Sequence, residues 1–246
     1  MMQMAFAYSG TLMRNDLSIY TTYASHWWDG SQRFLRLLAN LVPARLLLFD
    51  EIVGTWPGKT ILDLGCGGGF MAEAMQKRGA HVIGVDPTVA AILAATAHAR
   101  EEGISIDYRV GDGEAIPIAD QSVDGVVCVD VLEHVADLER VLDEIVRVIK
   151  PGGFFLFDTV NRSRLASVVL VFLGERVLGL LPRGTHDPAK FLKPAELTQK
   201  LVSRGLIVGP FVGLGPCGLN RRLDFTFGRL PTLQIIYAGY AHLPAA

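Results

Sequence analysis

A chain of 246 residues can bury about 70–75% of the surface its unfolded form exposes, so it needs no disulfide or metal staple. Its 23 basic and 25 acidic residues leave a net charge of −2, which excludes the broad basic face of a nucleic-acid binder. Half the residues are hydrophobic and 20% are charged, a composition that excludes disordered and collagen-like chains.

Residues 1–17 read as a flexible N-terminus and 18–246 as one domain. Helical periodicity covers about 17–53, with Trp27 and Trp28 midway. Strands and helices then alternate. A strand at 60–64 precedes a helix at about 70–78, and a strand at 81–85 precedes one at about 88–102. A third strand covers 105–110, and a fourth, 123–129, leads to a helix at about 137–149. A fifth strand follows at 153–159 after a Lys-Pro-Gly-Gly turn. This alternation predicts an α/β, doubly wound, mostly parallel sheet with N-terminal helices. Ligands of such sheets sit at the carboxyl ends of the strands.

The most apolar stretch, 163–181, opens a helical insertion after the fifth strand, extending to 192. Glu175 and Arg176 interrupt it, so it is too short and too charged to span a bilayer. Three readings stay open: a lid over the active site, a membrane-surface contact with Arg162 and Arg164 at the headgroups, or a core helix. Three widely spaced cysteines, odd in number, point to a reducing, cytoplasmic compartment. The first twenty residues lack the apolar core of a signal peptide.

The first strand ends in Asp63 and opens into Gly65-Cys-Gly-Gly-Gly69. The dinucleotide fingerprint fails at its third glycine, where Phe70 stands. A carboxylate at Asp63 repels a pyrophosphate and attracts a cation. The second strand ends in Asp86, before Pro87, where a carboxylate can accept two ribose hydroxyls. Gly65, Cys66, Gly67, Asp63, Asp86 and Pro87 thus form a candidate site for S-adenosylmethionine (SAM). The competing reading is an ordinary strand-to-helix turn with Asp86 as a helix cap. Asp112, Gly113 and Glu114 follow the third strand, and Asp112 can accept from an adenine amine or simply close a turn.

Asp130, Glu133 and His134 cluster after the fourth strand. They could ligate a divalent cation, or His134 could act alone as a general base; the bland alternative is helix capping. Trp27 and Trp28 could wall an aromatic substrate, close over the cofactor, or only pack. His186 could line the site or fix its loop.

Together these residues resemble class I SAM-dependent methyltransferases. The segments Ala24-Ser-His-Trp-Trp-Asp29, Pro43-Ala-Arg45, Leu132-Glu-His-Val135, Pro182-Arg-Gly-Thr-His-Asp187 and Lys190-Phe-Leu-Lys-Pro-Ala-Glu-Leu197 narrow the resemblance to the O-methyltransferases of ubiquinone biosynthesis. The resemblance covers about 18–240 and implies a Rossmann-like, seven-stranded sheet. It implies cofactor contacts at Arg45, Gly65, Asp86 and Val129, and a guanidinium at Arg45 suits the methionine carboxylate. The family's Glu-x-x-Glu-His, a Mg²⁺ site, falls on Asp130, Glu133 and His134, with Asp in the first place. The implied reaction is O-methylation of a catechol- or hydroquinone-type phenol such as a polyprenyl quinone precursor, with S-adenosylhomocysteine (SAH) as product. Methylation of carbon or nitrogen in another metabolite, and a non-catalytic SAM-binding scaffold, remain alternatives. A prenylated acceptor implies peripheral contact through 163–181 with the inner face of a membrane; no nucleic-acid partner is expected.

Overall fold

The computed structural model describes residues 15–245. Of the expected flexible segment 1–17, residues 1–14 lie outside the described residues. Residues 15–17 are held in place, with the Asp16 amide donating to the Gly184 carbonyl at 3.0 Å.

The long helical stretch expected at 17–53 is broken. It forms α1 (Ser18–Thr22), a 3-10 turn (Ala24–His26) and α2 (Arg33–Val53). The break falls at Gly30, whose φ of +69° is a left-handed value that a helix interior does not use. From there the alternation follows the sequence closely: β1 (Thr60–Leu64), α3 (Phe70–Gln76), β2 (His81–Asp86), α4 (Val89–Glu101) and β3 (Asp107–Val110). Then come β4 (Val123–Cys128), α5 (Leu138–Val148) and β5 (Ile149–Val160). The insertion is helical, a short α6 (Arg164–Ala166) running into a π-helix (Ser167–Val177). The chain closes with α7 (Pro194–Val202), β6 (Ile207–Val208), β7 (Val212–Leu219), β8 (Phe225–Leu230) and β9 (Ile236–His242).

The sheet has nine strands among the described residues, not the seven expected. Its order is β3-β2-β1-β4-β5-β9-β7-β8, with β6 paired to β9. The five strands β1–β5 are parallel, and β6–β9 are antiparallel to their neighbours. Glycines at 213, 215 and 218 within β7 hide its strand character from hydropathy patterning. The order reverses between β1 and β4, so a crevice opens where their carboxyl ends part.

Side-chain alternation divides the core into two layers. In β5, Phe154 and Leu156 join the layer under α2 and α3, whereas Phe155 and Phe157 join the layer under α5 and α7. In α5, Val141, Leu142, Ile145 and Val148 recur at helical spacing and are buried against the second layer. No helix among the described residues is long and apolar enough to cross a membrane. Leu142→Ala, at a fully buried position, is expected to lower stability by about 2–5 kcal/mol in urea unfolding.

Candidate active site

The crevice is a cavity of about 890 Å³. The four strand ends supply its floor: Asp63, Gly65, Cys66 and Gly67 after β1, Asp86 and Pro87 after β2, Asp112 to Glu114 after β3, and Val129, Asp130 and His134 after β4. Arg45 from α2 and Tyr20 and Trp27 from the N-terminal segment close it from above. Glu133, Trp28 and His186 do not line it.

The glycine loop is shaped by what lies against it. A Cβ on Gly65 would fall 2.2 Å from Val131, and one on Gly68 would fall 2.2 Å from Cγ of Trp27. The Trp27 ring therefore lies directly on the loop, where only glycine leaves room. Trp28 donates its indole N–H to the Gly68 carbonyl at 2.8 Å and stacks on His98 at 3.6 Å. It braces the loop from outside the cavity.

Asp86 holds the same loop. Its carboxylate accepts from the Gly67 amide at 2.9 Å and the Thr88 amide at 2.8 Å. Burial nonetheless raises its carboxyl above the usual value. Asp112 accepts from the Glu114 amide at 2.8 Å, so it closes a turn while lining the cavity. Burial, then Asp63 and Asp86, push the Cys66 thiol well up, which leaves it a packing residue.

Asp63 is buried with both carboxylate oxygens lacking hydrogen-bond partners. Burial pushes its carboxyl up to about 7, with the nearby Ala72 amide opposing the rise and Asp86 adding to it. An unpartnered carboxylate in a cavity wall favours a cationic ligand and disfavours a pyrophosphate.

Arg45 is buried and donates from Nε to Asp158 at 2.5 Å and from Nη2 to the same carboxylate at 3.2 Å. It also pairs with Asp130. Burial opposes its charge, but Asp130 and Asp158 together hold its pKa above the ordinary value. Asp158 was missed by sequence reasoning. Its signal is the one that marked Asp63 and Asp86, an acid near the end of an apolar strand.

His134 sits between two clamps. Its Nδ1 lies 2.6 Å from Oδ1 of Asn15, and Asn15 Nδ2 donates to the His134 carbonyl at 3.0 Å. Lys190 donates to the same carbonyl at 3.2 Å. An Nδ1–H donated to Asn15 leaves Nε2 as the proton acceptor. Burial, then the neighbouring His186, push the His134 pKa down to about 3, so the ring is neutral at physiological pH. His186 stands behind it at 5.4 Å, its Nδ1 3.0 Å from buried Glu175. It fixes a loop and does not line the cavity.

The expected metal site does not assemble. Asp130 is drawn to Arg45, His134 to Asn15, and Glu133 accepts from Thr159 Oγ1 at 2.7 Å. No three His, Cys, Asp or Glu side chains among the described residues are placed to share a metal ion. Arranged this way, the three residues do not fit Mg²⁺.

A family model described as a methyltransferase domain matches residues 62–157. The ubiquinone biosynthesis O-methyltransferase of Nitrosomonas europaea is 40% identical over 200 residues, covering 81% of this chain and 85% of that protein. The protein of the same name from Pseudomonas savastanoi pv. phaseolicola is 40% identical over 215 residues, covering 87% of this chain and 91% of its own. The chain belongs to the ubiquinone biosynthesis O-methyltransferase family. It is a SAM-dependent methyltransferase. A solved SAM-dependent methyltransferase from Aquifex aeolicus shares the fold, at a TM-score of 0.57 and 19% identity, over 82% of this chain and 93% of that one.

The cavity fits SAM. The unpartnered Asp63, the loop-holding Asp86 and the glycine loop with no room for Cβ atoms stand at neighbouring strand ends. Gly68→Ala is expected to force Trp27 off the loop and weaken SAH binding about tenfold in calorimetric titration.

Burial, then Asp130, push Glu133 up to about 8 from 4.5. Between those values the folded protein keeps a proton that the unfolded chain releases, so Glu133 makes stability fall as pH rises through that window. His134 acts oppositely: its contribution is complete above 6.5 and is lost as pH falls towards about 3. Glu133→Gln keeps the acceptor for Thr159 and removes the ionisation. Its melting temperature is expected to rise relative to the native protein between about pH 5 and pH 8, with His134 cancelling in the difference.

Proposed function

We propose that the chain transfers the SAM methyl to a phenol oxygen of a catechol- or hydroquinone-type quinone precursor. The observation that carries this reading is that His134, an imidazole held neutral, lines the same cavity as the glycine loop, Asp63 and Asp86.

When bound, SAM supplies an electrophilic methyl on a sulfonium centre. Arg45 would hold the methionine carboxylate, Asp86 would accept from the ribose hydroxyls, and Asp112 would accept from the adenine amine. Trp27, buried against the glycine loop, excludes water from the cofactor side. Nε2 of His134 accepts the phenol proton as the oxygen attacks, and Asn15 fixes the tautomer that leaves that nitrogen free. A ring with so depressed a pKa is a weak base, so the gain comes chiefly from orientation and from the cationic cofactor, which favours the phenolate.

The insertion carries the greasy part of the acceptor. Val168, Phe172, Val177 and Leu178 are about half exposed on its π-helix and just beyond it. A prenyl tail or the inner face of a membrane would cover them, with Arg164 and Arg176 at the headgroups.

The test is methyl transfer to a prenylated catechol alongside SAH titration. His134→Ala is expected to abolish turnover while leaving SAH affinity within about twofold, because in this reading the ring serves the acceptor and not the cofactor. An active His134→Ala protein would remove the assigned base.

A further inference from the structure

Asp130 is the residue whose expected role the structure takes away. It does not join Glu133 and His134, yet its backbone is held at φ +55°, a left-handed conformation that most residues avoid and that Asp, with Asn, tolerates best after glycine. Buried Asp158 enforces this conformation by accepting from the Asp130 amide at 2.9 Å. The same carboxylate grips Arg45 through two donors. Asp158 thus fixes, at once, a cation and an anion that touch each other on the cavity wall.

Charge decides what such a pair can receive. One guanidinium already faces two carboxylates, so the group carries one excess negative charge. A bare carboxylate brought to Arg45 would add a second and meet repulsion from Asp130. A carboxylate arriving with its own ammonium adds none. The zwitterionic end of an α-amino acid can open the Arg45–Asp130 contact and replace both halves of it.

Exposure decides which acid meets the ammonium. The Asp158 side chain is 0% exposed and that of Asp130 is 24% exposed. Asp63 is only 1% exposed and its carboxylate oxygens are sealed off, so it acts through the field and not by contact.

We propose that Asp130 binds the ammonium of the cofactor's methionine end beside Arg45, and that Asp158 is the positioning residue that holds the two in register. This rests on the reading that Arg45 takes the methionine carboxylate. It gives Asp130 a role in amino-acid recognition instead of metal ligation.

The experiment is calorimetric titration with three ligands. SAH carries both groups, its deamino analogue keeps the carboxylate alone, and 5′-methylthioadenosine lacks the whole amino-acid end. The native protein is expected to bind SAH at least about tenfold more tightly than the deamino analogue. Asp130→Asn is expected to erase that difference and leave methylthioadenosine affinity unchanged. Asp158→Asn is expected to weaken SAH and not methylthioadenosine.

Equal binding of SAH and the deamino analogue by the native protein would overturn the proposal without any variant having to fold. So would a preference that survives Asp130→Asn, or one erased by Asp63→Asn instead. A loss of all three ligands together in Asp130→Asn would make its role structural and also overturn it. Arg45→Lys separates the underlying reading: if it spares the advantage of SAH over methylthioadenosine, the carboxylate assignment at Arg45 fails, whereas the ammonium preference is still read from the native protein.

Discussion

The buried guanidinium of Arg45 ties together the parts of this molecule that must not move independently. It reaches from α2 to Asp158 near the end of β5 and to Asp130 in the loop after β4. A charge buried this deeply is tolerated only when its partners are fixed, and removing one of them would leave an uncompensated ion inside the protein. The helix, the strand and the loop are therefore placed relative to one another by a single planar group with directional donors.

Around this ion pair the N-terminal segment acts as part of the site. Asn15, Tyr20 and Trp27 all come from before α2, yet they reach His134, the cavity and the glycine loop. Trp27 needs glycine beneath it, at Gly67 and Gly68. That contact accounts for Gly67 and Gly68, and Tyr108 against Gly69 for the third glycine, better than phosphate binding does, since no pyrophosphate would tolerate Asp63 so close.

The cavity and the layer behind it are dense in acids, and their environments give them different work. Asp63 and Glu133 are pushed up towards and beyond neutrality by burial. Asp86 keeps two backbone donors and Asp158 keeps an arginine. Sharing one region among several carboxylates is favourable only when some are neutralised and some are paired. Asp130, Glu133 and His134 are likewise dispersed, to Arg45, Thr159 and Asn15 in turn.

The sequence by itself determined the alternating β/α frame, the glycine loop and the acids at the strand ends, because these are local signals. Strand ends are marked by a change in hydropathy, and parallel topology carries those ends to one edge. It also carried the family, through segments such as Trp27-Trp28-Asp29 and Leu132-Glu133-His134. Less legible were the glycine-bearing strand β7 and the short β6, which lack a clean period of two. Only the tertiary structure decided which side chains meet. Asn15 and His134 are 119 residues apart, and Arg45 and Asp158 are 113 apart. Neighbours in the chain went separate ways, Glu133 to Thr159 and His134 to Asn15. A motif fixes which groups are available at a strand end, but burial and hydrogen bonding from distant elements fix the direction each one takes.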